Sequence, residues 1–180
     1  LTPPSFRIEE TPLRAAVTDR TRAIILNTPN NPTGRVFDAA EMEAVRSVAL
    51  AHDLLVITDE IYEYILYEGT HVPFATLEGM AERTITVSGL SKTFAITGWR
   101  IGSIVAPPAL TDAIRKVHDF LTVGAPAPLQ EACAVGLETL EDDYFDGLAQ
   151  SYGARREVMF EALISAGFKC QKPQGAYYIL

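Results

Sequence analysis

"RTITVSGLSKTFAITGWRIGSIVA", residues 83–106, reads as strand, loop and strand. "RTITVS" (83–88) is rich in β-branched residues, and "RIGSIVA" (100–106) is a second short apolar run. Between them stand one lysine, Lys92, and one arginine, Arg100, among Gly89, Ser91, Ala95 and Gly98. A solvated loop usually carries more charge of mixed sign, and a buried strand carries none. Isolated cations among small residues predict that a ligand approaches this backbone closely and needs positive charge.

Working outward, "RAIILN" (22–27) and "LLVIT" (54–58) read as two further buried strands. Between them a helix fits 38–52, with Asp38 as N-cap and Glu41 completing a capping box. "DEIYEYIL", from Asp59, predicts the start of another helix, and helices also fit 108–122 and 127–139. Such alternation favours an α/β fold with a mostly parallel sheet flanked by helices. Each of the first three strands runs into a polar cluster: "NTPNNPTG", then Asp59, Glu60 and Tyr62, then "SGLSK". Parallel sheets bind ligands at the carboxyl ends of their strands. The clusters lie about thirty residues apart, the length of a βαβ unit. If the strands are parallel neighbours, Asn31, Asp59, Tyr62, Lys92 and Arg100 converge on one site.

That set suits a particular chemistry. A nucleophilic lysine needs its pKa lowered from about 10.4 toward roughly 7–8. A guanidinium grips a phosphate bidentately. An aspartate can hold a protonated ring nitrogen, and an amide with a phenol can hold a phenolate oxygen. Together these demands describe pyridoxal phosphate. Plainer roles stand beside them: Lys92 and Arg100 as surface cations, Asp59 as a helix N-cap, "NNPTG" as a turn and Tyr62 as packing.

Composition sets the outer limits. The chain has 180 residues, 48% hydrophobic and 21% charged, which is globular composition. A net charge of −8, with no cluster of Lys and Arg, argues against nucleic acid as a partner. No run of 18 apolar residues predicts a membrane span. Cys133 and Cys170 have no metal spacing and read as small core residues. His52, His71 and His118 are scattered and read as exposed or simply hydrogen-bonded, and Trp99 as core packing. Phe145, Leu148, Tyr152, Met159 and Leu163 mark one face of a long helix over 142–166, ended by Gly167. "FKCQ" and "GAYYIL" are expected to follow it as a strand pair. A boundary near 141 is expected, with 1–141 in a large cofactor-binding domain and 142–180 starting a smaller α+β domain. "LTPPSF" carries no initiator Met and no signal-peptide pattern, and "GAYYIL" stops in a strand-like run. The expectation is a piece of a longer, cytoplasmic protein.

"PNNPTG", "DEIY" and "SGLSKTFAITGWRIG", in this order and at this spacing, resemble the class I and II aminotransferases of fold type I, the aspartate aminotransferase superfamily. The resemblance covers nearly the whole chain. It implies a pyridoxal phosphate enzyme that moves an amino group from an L-amino acid to a 2-oxo acid, and a homodimer in the full-length parent. It implies that Lys92 forms the internal aldimine and shuttles the proton at Cα, and that Asp59 keeps the pyridine nitrogen protonated. By the same resemblance Asn31 and Tyr62 hold the ring oxygen, and Arg100 holds the phosphate. Gly89 stands where many relatives carry a phosphate-binding serine, and Ser88 and Ser91 flank it as candidate contacts. Other fold type I chemistry, such as C–S lysis, decarboxylation or synthase activity, needs the same lysine, aspartate and arginine. An aminotransferase-like effector domain of a transcription regulator would keep several of them.

Overall fold

The computed structural model describes all 180 residues. Its sheet has four strands in the order β1 (Ala23–Asn27), β2 (Leu55–Asp59), β3 (Thr84–Gly89) and β4 (Gly102–Val105). β1, β2 and β3 are parallel neighbours, as expected, and β4 returns antiparallel to β3. The helices are α1 (Glu10–Ala15), α2 (Ala39–Ala51), α3 (Leu90–Thr93), α4 (Pro108–Leu121), α5 (Ala127–Thr139) and α6 (Asp142–Ser165). This is the mostly parallel, helix-flanked α/β architecture expected, followed by a C-terminal part built on α6.

Local chemistry starts the crossover from β1 to β2. The Asp38 side chain accepts from the Glu41 N–H at 2.9 Å, and Glu41 Oε2 accepts from the Asp38 N–H at 3.1 Å. That reciprocal cap satisfies two orphan donors at the start of α2. Buried Glu41 is itself neutralised by Arg35 at 2.6 Å. Met42, Val45 and Ala49 of α2 then pack on Leu26, Leu54 and Val56, with Phe37, Phe74 and Met80 completing the core. Each large side chain so buried contributes about 1.5–3 kcal/mol of transfer free energy. Alternation along β2 puts Val56, Thr58 and Glu60 on this core side and Asp59 on the other.

Four local expectations give way to tertiary contacts. The run from Asp59 is a turn, not a helix. Glu60 N–H still bonds to Val87 O across the sheet, and Ile65 O accepts from Ala176 N–H, so these groups are taken by neighbours rather than by a helix. "FKCQ" and "GAYYIL" form no strand pair; one isolated bridge, Leu66 to Gly175, replaces it. The Gln174 and Gly175 amides bond to Gly34 O instead, and Ala176 adopts φ of 56°, which breaks an extended run. Trp99 is 39% exposed rather than core, and Met159 of α6 is 57% exposed although Leu148 and Tyr152 pack inward as read. The short helix α1, packed on α2, has too little apolar periodicity to be read beforehand. Cys133 is buried and Cys170 only half-buried. No helix is long and apolar enough to cross a membrane.

Candidate active site

The parallel register brings the strand ends together. Asn27 lies opposite Asp59, and Asp59 lies opposite Val87, one residue before Ser88. Asn27 Nδ2 donates to Asp59 O at 3.0 Å, and Asn27 Oδ1 accepts from the Asn31 N–H at 2.7 Å. Asn27 therefore ties the loop carrying Asn31 to the strand end carrying Asp59. Sequence reading passed over it, although its place at the end of β1 could have marked it. Asn30 holds the same loop from within, accepting from the Thr33 hydroxyl at 2.6 Å and donating to Asn27 O at 3.1 Å. The peptide bonds before Pro29 and Pro32 are cis.

Asp59 Oδ1 accepts from the Ile61 N–H at 3.3 Å, a local turn contact of the kind aspartate favours. Past that turn, Tyr62 is 2% exposed. Its ring packs edge-on against Tyr177 and Tyr178, with centroids 5.2 and 5.7 Å away. Lys92 Nζ lies 5.8 Å from the Tyr62 ring centroid and 5.5 Å from that of Tyr177. Such distances fall within cation–π range. Both tyrosines of "GAYYIL" thus meet Tyr62. They reach it from a segment where no strand pattern survived.

The remaining candidates divide. Ser91 is buried, and its carbonyl accepts from the Thr97 hydroxyl at 3.4 Å. Ser88 turns its hydroxyl to Glu63, donating to Oε1 at 2.7 Å. Arg100 is exposed, in the left-handed region at φ of 56°, and donates to Thr97 O at 3.2 Å. Its charge is felt at Lys92. The backbone is close-packed between them: a Cβ on Gly102 would lie 3.0 Å from Ser88 O, and one on Gly89 3.2 Å from Ile61 Cδ1.

The lysine itself departs from expectation. The Tyr177 hydroxyl is the largest influence on Lys92 and holds its pKa above the ordinary lysine value. Burial and Arg100 pull it down and are outweighed. The lowered pKa required of a free nucleophilic amine is not present in this arrangement. Tyr62 is likewise raised, first by burial and then by Tyr178, which keeps its phenol protonated.

Comparison with known proteins shows the family. The family described as "Aminotransferase class I and II" matches residues 2–180. Kynurenine--oxoglutarate transaminase of Dictyostelium discoideum is 41% identical over 179 residues, covering 97% of this chain and 41% of that protein. The solved N-succinyldiaminopimelate aminotransferase of Mycobacterium tuberculosis is 42% identical with a TM-score of 0.92, covering 95% of this chain and 44% of that one. Aspartate aminotransferase of Thermus thermophilus, solved with maleate, is 36% identical with a TM-score of 0.91, covering 97% and 46%. The chain thus spans less than half the length of the relatives it matches. It belongs to the class I and II aminotransferases, within the pyridoxal-phosphate-dependent enzymes of fold type I.

Proposed function

We propose that the protein is an aminotransferase that passes an amino group from an L-amino acid to a 2-oxo acid, with pyridoxal phosphate held at the ends of β1, β2 and β3. The observation that carries this reading is the convergence of Asp59, Tyr62 and Lys92 on neighbouring parallel strand ends, with Asn31 tied to the same place through Asn27. Relatives whose names specify kynurenine with oxoglutarate, and arginine with pyruvate, support an amino donor paired with a 2-oxo acid.

The donor set fits the cofactor. It holds one carboxylate, one amine, one guanidinium, a protonated phenol, an amide and small hydroxyl residues, matching a ring nitrogen, an aldehyde, a phosphate and a ring oxygen. When bound, pyridoxal phosphate supplies a carbonyl that condenses with an amine and a ring that takes up the electron pair left at Cα. Asp59 holds a proton at the ring nitrogen. Tyr62 and Asn31 would donate to the ring oxygen, Arg100 would balance the phosphate charge, and Ser88 and Ser91 would flank it. Lys92 supplies the amine, and its Nζ takes and returns the substrate proton once it has been deprotonated. The Tyr177 hydroxyl raises the Lys92 pKa here, and a positive group docking beside the amine would lower it, as Arg100 does. The full-length protein acts as a homodimer in this reading, and sedimentation as a monomer at working concentration would count against that part.

The test is direct. The protein is mixed with pyridoxal phosphate, reduced with borohydride, and its peptides are mapped. A single adduct on Lys92 supports the reading. Scattered or absent labelling of the full-length protein overturns it.

A further inference from the structure

Tyr62 has no regular element to hold it. It sits in a turn closed by the Glu63 N–H to Glu60 O and Ile65 N–H to Tyr62 O bonds, both 2.9 Å. Its ring is fixed by the two tyrosines of the C-terminal segment, and its hydroxyl lies 2.5 Å from that of Tyr178. A phenol has one proton and can also accept. The direction of this bond therefore decides whether the Tyr62 proton is spent on Tyr178 or directed elsewhere.

The segment that carries Tyr178 is itself firmly placed. Gln174 and Gly175 N–H groups bond to Gly34 O at 2.7 and 2.8 Å, on the loop after β1. The Ala176 N–H bonds to Ile65 O at 2.9 Å, and the Tyr67 N–H to Gln174 O at 2.8 Å, on the loop after β2. The Tyr67 hydroxyl donates to Ala176 O as well. Arg156 of α6 holds Pro173 O at 2.8 Å. Residues 173–178 are clamped between the two loops that carry Asn31 and Tyr62, so the Tyr178 hydroxyl has little freedom to wander.

We propose that Tyr178 is a positioning residue for Tyr62: its hydroxyl donates to the Tyr62 oxygen, leaving the Tyr62 proton directed at an acceptor in the cofactor site. The proposal rests on the aminotransferase reading above. In that arrangement Tyr178, Tyr62 and the acceptor form a chain of hydrogen bonds in which each polarises the next. Tyr178 thereby makes Tyr62 a stronger donor, and the C-terminal segment becomes part of the site's electronics rather than only its wall. The charged and titratable groups facing this chain are Tyr177 and Lys92, and Arg100 acts in turn on Lys92.

Tyr178→Phe removes the hydroxyl and keeps the ring; Tyr178→Leu removes both. Two readouts are used on the full-length protein. In the cofactor-free protein, the Cζ resonance of 13C-labelled Tyr62, assigned by its loss in Tyr62→Phe, reports the hydroxyl bond. In protein loaded with pyridoxal phosphate, the pH midpoint of the visible absorption band reports donation to the ring oxygen. Tyr178→Phe is expected to move the Tyr62 resonance and to weaken the acidity read from the band by roughly fivefold. A purely packing role predicts a silent Tyr178→Phe and a disturbed Tyr178→Leu, and that result overturns the proposal while leaving the aminotransferase reading intact. A wild-type protein that develops no band with pyridoxal phosphate overturns the reading itself, and the proposal with it.

Discussion

Glu60 and His71 meet at 2.7 Å with side chains only 2% and 7% exposed, on the face of β2 opposite Asp59. Glu60 Oε1 also accepts from the Phe74 N–H at 3.3 Å. The carboxylate thus pins both His71 and Phe74 to the strand end from which Tyr62 departs. Burial is the largest single influence on Glu60 and pushes its pKa up, but His71, Thr58 and the Phe74 N–H together outweigh it, leaving the pKa below the ordinary value.

His71→Ala leaves that carboxylate buried without its partner and is expected to cost about 3 kcal/mol of stability. Urea unfolding measures this. An unchanged midpoint would mean that water replaces the imidazole at no cost.

The pH dependence follows from the sign of the Glu60 shift. A carboxylate with a depressed folded-state pKa contributes stability that is present above its unfolded value, 4.5 here, and is lost as pH falls through the lower folded value. Wild-type stability should therefore fall with acid over that window, and His71→Ala should flatten the fall. Unfolding free energies collected across the window give the two slopes; equal slopes would remove the pair from the acid response.

Gly34 occupies φ of +68°, and a Cβ there would lie 2.2 Å from Pro173 Cβ and 3.1 Å from Tyr178 O. Gly34→Ala combines left-handed strain with overpacking, for an expected cost of about 3 kcal/mol. It should also displace Tyr178, seen as a moved Tyr62 resonance. Thermal unfolding and the same 13C spectrum check both effects.

Lys92→Ala should abolish the borohydride-stable pyridoxal phosphate adduct, because no other candidate residue of the site supplies an amine. Peptide mapping decides it, and an undiminished adduct would sink the assignment.

Asp59→Asn exchanges a charge for a dipole of nearly the same shape. With no anion to hold a proton on the ring nitrogen, turnover should fall by roughly a thousandfold or more. Steady-state kinetics with an amino acid and a 2-oxo acid provide the measurement. Near-normal turnover would refute the role given to Asp59.

Much of the large sheet was legible in the chain itself. "RAIILN", "LLVIT" and "RTITVS" are short β-branched runs bounded by turn residues, and the Asp38–Glu41 box announces α2; both signals are local, and local signals survive into the fold. The spacing allowed a parallel order, and the register bears that order out by setting the end of β1 beside Asp59 and Asp59 beside Val87. The run from Asp59 misled because Tyr62 and Ile65 have helical spacing, yet their surroundings pair the Ile65 carbonyl with Ala176.

What the amino-acid order determined by itself was which strands form, where their polar ends fall and which family the motifs resemble. What only the tertiary structure decided was the company those ends keep. Tyr178 reaches Tyr62 across 116 positions, and nothing periodic in "GAYYIL" foretells it. The physical reason is the range of the forces. Caps and apolar alternation act within a few residues, whereas that hydroxyl pair exists only because Gly34 and Ile65 offer their carbonyls to a segment far along the chain.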